Sequence, residues 1–205
     1  MTDHSETHIH HMSDIDEALR EIRGLNRRVV TFSGFSSAGY EDQRSVERML
    51  SVWLDTLDPL ADMVCSGATP MGIGASYALA SSRGFQTIGI VSSNAVKEQV
   101  RFAEDVKTVF VIEDDRWGGY IEKTDTPSPT SRVMVEASDV LIFIGGGDIA
   151  RDEYDYAKRL GKQLHFEAAD MNHNLSMDKA RRKGEPAPSN FKGSLYQYLV
   201  ARQSG

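Results

Sequence analysis

Disulfides, membrane spans and a surplus of basic charge are all missing from this sequence. Cys65 is its one cysteine among 205 residues, so no internal disulfide is available. Met63 and Val64 beside it suggest a buried strand, and the expectation is a reduced, cytoplasmic protein. No apolar run approaches the ~18–20 residues that cross a bilayer, so no membrane partner is expected. The polar, histidine-containing start lacks the apolar core and small-residue cleavage site of a signal peptide. Lys and Arg total 23 against 30 Asp and Glu, a net charge of −7. That balance argues against a nucleic-acid partner gripped by blanketing its phosphates, while leaving room for a small local phosphate site. What is present suits a folded domain: 40% of residues are hydrophobic and 26% charged, too apolar for wholesale disorder.

Residues 1–12 are polar and without periodicity, and they read as a flexible tail ahead of a single domain over residues 13–205. His4, His8, His10 and His11 lie in that tail. Imidazoles so closely spaced suit zinc, nickel or copper, but a solvated segment is the simpler reading, and no metal is expected.

From residue 13 onward, helical and strand patterns alternate. Ile15, Leu19 and Ile22 share a helix face; Val29 to Phe32 reads as a strand; Val46, Met49, Leu50, Trp53, Leu54 and Leu57 fall at helical spacing. Met63–Cys65, Thr87–Val91, Thr108–Ile112, Val140–Ile144 and Gln163–Phe166 read as further strands. Helices are expected between them, including one from Val96 to Ala103, with one or two more at the C-terminal end. Continuous apolar strands alternating with helices imply strands buried on both faces of a mostly parallel sheet. The expected fold class is therefore α/β, a Rossmann-like three-layer sandwich.

In such sheets ligands bind beyond the carboxyl ends of the strands. The residues found there are mostly small or acidic. One strand runs into Ser33, Gly34 and Ser36, and the next into Gly67, Ala68, Met71 and Gly72. Others end in Glu113 with Asp114 and Asp115, and in Gly145, Gly146, Gly147 and Asp148. Small residues let backbone N–H groups approach an anion, so a nucleotide or sugar-phosphate is the expected ligand. No G-x-G-x-x-G follows the first strand and no P-loop lysine is present, which sets aside nicotinamide-dependent oxidoreductases and P-loop NTPases. Trp117 and Tyr120, beside Gly118 and Gly119, could stack on a base or anchor their own loop.

Two stretches resemble a known family. Ser66-Gly67-Ala68 with Met71-Gly72-Ile73-Gly74, and Ser138-Asp139-Val140 through Gly145-Gly146-Gly147, are similar to segments of the SLOG superfamily. That group includes the Lonely Guy phosphoribohydrolases, often labelled lysine decarboxylases, and the Rossmann domain of DNA-processing protein A. The resemblance spans roughly residues 28–168. It implies a nucleotide-binding Rossmann-like domain, commonly a homodimer, without a separate cofactor. In the Lonely Guy subgroup the loop reads PGGxGTxxE, which places Glu153 at the final acid. Ile149 and Ala150 stand where that loop has its phosphate-binding Gly-Thr pair. Thr130 occupies the position of the subgroup's arginine, with Arg132 two residues later.

If the subgroup's chemistry is retained, the reaction is hydrolysis of the N-glycosidic bond of a nucleoside 5′-monophosphate. Its cation-like transition state needs a carboxylate, for which Glu153 is the candidate, and a phosphate-holding cation, for which Arg132 is. A binding module or sensor for a nucleotide derivative is the leading expectation, because Ile149 and Ala150 remove the phosphate pair while the glycine-lined pocket stays. The hydrolase is the alternative, and an oligomeric protein without a small-molecule ligand is the third.

Overall fold

The structure, a computed structural model, describes residues 7–122 and 124–203. Seven parallel strands form one sheet: β1 (His8–Met12), β2 (Arg28–Gly34), β3 (Asp62–Ser66), β4 (Gln86–Ser92), β5 (Thr108–Ile112), β6 (Val140–Ile144) and β7 (Gln163–Glu167). Their spatial order is β1-β5-β4-β3-β2-β6-β7. Among the described residues eight α-helices run between and after them: α1 (Ile15–Gly24), α2 (Gln43–Leu54), α3 (Ala75–Ser81), α4 (Ser93–Lys97), α5 (Pro129–Ala137), α6 (Asp148–Arg159), α7 (His173–Lys183) and α8 (Gly193–Gln203). The α/β Rossmann-like expectation holds, and the sheet is parallel throughout.

Alternation along each strand supplies two apolar layers. Val29, Met63, Cys65, Ile88 and Phe110 face α1 and α5, while Leu141 and Phe143 face α6 and α8 on the same side. Val30, Phe32, Val64 and Ile142 face α2 and α3 on the opposite side. Burial on both faces is what a parallel sheet requires of its strands. Carboxylates fix two helix starts: Asp14 accepts from the Glu17 N–H at 2.7 Å, and Asp42 from the Ser45 N–H at 2.9 Å. Leu195 of α8 is fully buried against α6 and β6. Among the described residues no helix is long and apolar enough to cross a membrane.

Two expectations are corrected. The tail reading fails for residues 8–12, which form β1 in register with β5, from His8 opposite Thr108 to Met12 opposite Ile112; His4 lies outside the described residues. The cause is an edge that needs covering. Without β1, the outer N–H and C=O groups of β5 would be unpaired. The His10 ring packs 5.2 Å from that of Phe110, and its Nδ1 lies 3.0 Å from Glu21. The helix expected over Val96–Ala103 is replaced by the short α4 and irregular chain. Val96 and Val100 are both exposed, so no partner surface rewards continuing the helix.

Met12 gives the corrected strand a measurable consequence. Its side chain is buried in the cluster containing Leu19, Ile22 and Ile112. Met12→Ala should lower the unfolding free energy by about 2–4 kcal/mol in urea titration. An unchanged midpoint would restore the tail reading.

Candidate functional site

Strand order reverses at β2, whose neighbours are β3 on one side and β6 on the other. The crevice beyond those three strand ends is where a parallel sheet receives a ligand. The loops after β2 and β3 meet there: the Ile73 N–H donates to the Phe35 carbonyl at 2.8 Å, and a Cβ on Gly72 would lie 2.6 Å from the Ser36 carbonyl oxygen. Tyr40 braces the centre, accepting from the Phe35 N–H at 3.1 Å and donating to the Ile144 carbonyl at 2.7 Å.

The glycines of this edge divide into two kinds. Gly34, Gly72, Gly145 and Gly146 answer packing. A Cβ on Gly34 would come within 2.1 Å of the Tyr40 hydroxyl, and one on Gly145 within 2.5 Å of the Phe35 ring. Gly146, at φ 134°, would place its Cβ 2.6 Å from that of Ala150. The start of α8 lies directly over this loop, with the Leu195 N–H donating to the Gly146 carbonyl at 3.3 Å. Gly67 and Gly147 are different: a Cβ on either meets nothing within 4 Å. Gly147 opens α6, whose first turn has no side-chain cap. N–H groups at a helix start without a side-chain cap favour an anion.

Beside Gly67, Ala68 adopts φ 51°, a left-handed conformation that costs a residue with a Cβ roughly 1 kcal/mol or more. The loop is held there by the Tyr77 hydroxyl, which accepts from the Ala68 N–H at 3.0 Å, and by the Ala68 carbonyl, which accepts from the Ala103 N–H at 2.9 Å. Met71 and Ser36 stand exposed at the mouth.

Glu153 is the chemically distinctive group. It projects from α6 into the space between α5 and the end of β2, only 6% exposed. The Ser131 hydroxyl donates to its Oε1 at 2.8 Å, and the Ser33 hydroxyl reaches its Oε2 at 3.4 Å. Ser131 in turn accepts from the Gly119 N–H at 2.8 Å. Burial is the main reason the Glu153 carboxyl is raised to about 7; the two serines pull the other way, and the charge of Asp152 pushes it further up. A carboxyl that exchanges its proton near neutrality is suited to acid–base work.

Other candidates sit elsewhere. Arg132, one residue and about 100° of helix turn beyond Ser131, points to α1 and its own helix. Its Nε lies 2.8 Å from Glu136 and its terminal nitrogen 3.8 Å from Asp16, and neither partner belongs to the Glu153 cluster. Glu113 is exposed at the end of β5, three strands from β2, and its N–H donates to the Met12 carbonyl. Asp148 is exposed at the start of α6 and paired with Arg151 at 3.1 Å. Tyr120 is an anchor, donating to Asp155 at 2.7 Å, while Trp117 remains exposed. Cys65 is fully buried, its thiol pushed up to about 12 by burial, which suits an inert core residue. Among the described residues no group of three His, Cys, Asp or Glu is placed to hold a metal. Ser131 was missed by sequence reasoning. Only the phase of α5 relative to α6 singles it out from Arg132.

No protein-family model matches the chain, and no curated protein matches it in sequence. Solved structures do share its fold. The molybdenum cofactor binding protein from the phototrophic bacterium Rippkaea orientalis is 14% identical, with 87% of this chain and 98% of that one covered at a TM-score of 0.51. The Moco carrier protein from Chlamydomonas reinhardtii is 15% identical, with 86% and 99% covered at 0.50. DNA processing protein A from Streptococcus pneumoniae is 11% identical, with 86% and 61% covered at 0.46.

The buried carboxyl predicts a pH signature. Below pH ~4.5 both folded and unfolded chains hold the Glu153 proton; between there and about 7 only the folded chain does. Rising pH therefore favours unfolding across that window, and the cost levels off above it at about 3 kcal/mol. Urea titrations of wild type and Glu153→Gln should diverge in favour of the variant from pH 4.5 to 7.5. Parallel curves would show that the carboxyl ionises freely in the fold.

Proposed function

We propose that this protein is a SLOG-type binding module that holds a nucleotide or nucleotide-like phosphate ester at the carboxyl edge of β2, β3 and β6. One observation carries the reading: α6 begins without a side-chain cap, and a Cβ on Gly147, the residue that opens it, would meet nothing within 4 Å. A phosphate placed there gains backbone hydrogen bonds and the favourable end of the helix dipole. The exposed Gly67 and Met71 offer the remainder of the ligand an adjoining surface. Ile149 and Ala150 favour retention over turnover, since neither supplies a hydroxyl to a phosphate oxygen. The family resemblance carries the further expectation of a homodimer, which light scattering at micromolar concentration checks.

A second reading rests on Glu153. With its carboxyl near neutrality beside the same edge, it could protonate a leaving base or activate water in N-glycosidic hydrolysis of a nucleoside 5′-monophosphate. Arg132, tied to Glu136, would have to leave that partner to hold the phosphate.

Thermal unfolding with a panel of nucleoside 5′-monophosphates and cyclic nucleotides tests both. Since two of the structures it resembles are described as molybdenum cofactor binding or carrier proteins, that cofactor belongs in the panel. A ligand at about 100 times its Kd should raise the Tm by roughly 5–10 °C. Gly147→Asp should abolish that rise, because a fixed carboxylate caps α6 and repels the phosphate, while the unliganded Tm holds or increases. Free base released by wild type but not by Glu153→Gln would favour the hydrolase. No shift with any ligand would overturn the binding reading.

A further inference from the structure

A second cleft lies away from the sheet edge, between the outer face of α6, the start of α8's last turn and the loop around Tyr120. Its volume is about 690 Å³, within the usual range for small-ligand sites. In a chain of net charge −7 its walls carry four cations, Arg151, Lys158 and Arg159 from α6 and Arg202 from α8, against three acids, Asp125, Asp152 and Asp155. Spacing on α6 explains the convergence, since residues 151, 155, 158 and 159 share one helix face.

Two of the three acids, Asp155 and Asp152, are committed, while Asp125 is exposed at the rim. Asp155 accepts from the Tyr120 hydroxyl at 2.7 Å and from the Tyr198 hydroxyl at 2.5 Å, so one carboxylate ties the loop and α8 to α6. Burial alone would raise its carboxyl, but those two hydrogen bonds and the nearby Arg159 and Arg202 hold it below the ordinary range. Asp152 accepts from the Tyr120 N–H at 2.9 Å and from Arg151 at 2.8 Å.

Two of the cations are committed as well: Arg151 donates to Asp152 at 2.8 Å and to Asp148 at 3.1 Å, and Arg159 donates to the Tyr120 hydroxyl and to the Asp125 carbonyl at 2.9 Å, with Asp155 3.5 Å from its Nε. Lys158 has no hydrogen-bond or ion-pair partner among the described residues. Arg202 approaches Asp155 only to 3.9 Å. Its guanidinium lies over the Tyr198 ring at 4.5 Å, and that of Arg159 over the Tyr120 ring at 5.2 Å. The ring beneath Arg202 fixes its guanidinium's direction without using its N–H donors. The donors left over at this cleft are those of Lys158 and Arg202.

We infer that this cleft binds a small anion carrying two or more phosphate groups, through Lys158 and Arg202 with Arg159 and Arg151 alongside. The site is separate from the α6 N-terminus, because its cations lie along the flank of that helix and on α8.

Isothermal titration of the full chain with inorganic tripolyphosphate, at low ionic strength, tests this. Wild type should bind one equivalent, with affinity falling steeply as salt is added. Lys158→Glu and Arg202→Glu should each weaken the Kd at least tenfold, with circular dichroism unchanged because both side chains are exposed. Arg101→Glu, at an exposed position outside the cleft, should bind as wild type does. No heat with wild type would overturn the inference, as would equal loss in Arg101→Glu, which marks diffuse attraction. Loss confined to Gly147→Asp would place the anion at the sheet edge and overturn it as well.

Discussion

Strand β2 is paired on both edges and covered on both faces, and the rest of the molecule follows from meeting those four demands. Val29, Val30 and Phe32 serve the faces, and β3 and β6 serve the edges. Each chain crossing must return to the same end of the sheet, because parallel neighbours need long connections. Every strand therefore delivers its carboxyl end, and its loop, to one rim. Ser33 reaches Glu153 because it is the next inward-facing position after Thr31 on that strand, and Thr31 is itself tied to Ser138 at 2.5 Å. The position of the acid is thus a consequence of strand register as much as of α6.

The legible part of the sequence was the part governed by burial. Runs such as Val140–Ile144 have no polar residue to mislead, and the helix faces around Leu50 and Ile22 repeat at the helical period. Glu153 was legible through its place in a loop motif, and its burial is what gives that place chemical meaning. Residues 8–12 were illegible because four of the five are exposed, so β1 carries almost no hydrophobic signal. What orders it is an unpaired neighbour a hundred residues away, and no local pattern reports that. The same holds for Arg132 and Ser131. Adjacent residues on a helix face different neighbours, and only the packing of α5 on α6 decides which one meets the acid.

Covering of the glycine loop was equally hidden. Gly145 and Gly146 look like a phosphate cradle, yet Phe35 and the start of α8 occupy the space in front of them. The sequence shows why only after the fact: Gly193 is needed where a Cβ would lie 2.2 Å from the Gly146 carbonyl oxygen. A glycine more than forty residues away therefore lets α8 seal one half of the rim. The opening is displaced to Gly147 and, on the far side of β2, to Gly67.

Ile149 and Ala150 bear on that displacement. Ala150 is buried, and its Cβ fills the space that a side chain on Gly146 would claim. A Cβ on Gly118 would lie 3.1 Å from the Ile149 Cγ2, so the isoleucine forms the floor on which Gly118 and Gly119 rest. From there the Gly119 N–H reaches Ser131, and Ser131 reaches Glu153. Ile149 and Ala150 are thus packing elements that hold the loop above the acid. Glu153 is held in place by these supports through Ser131.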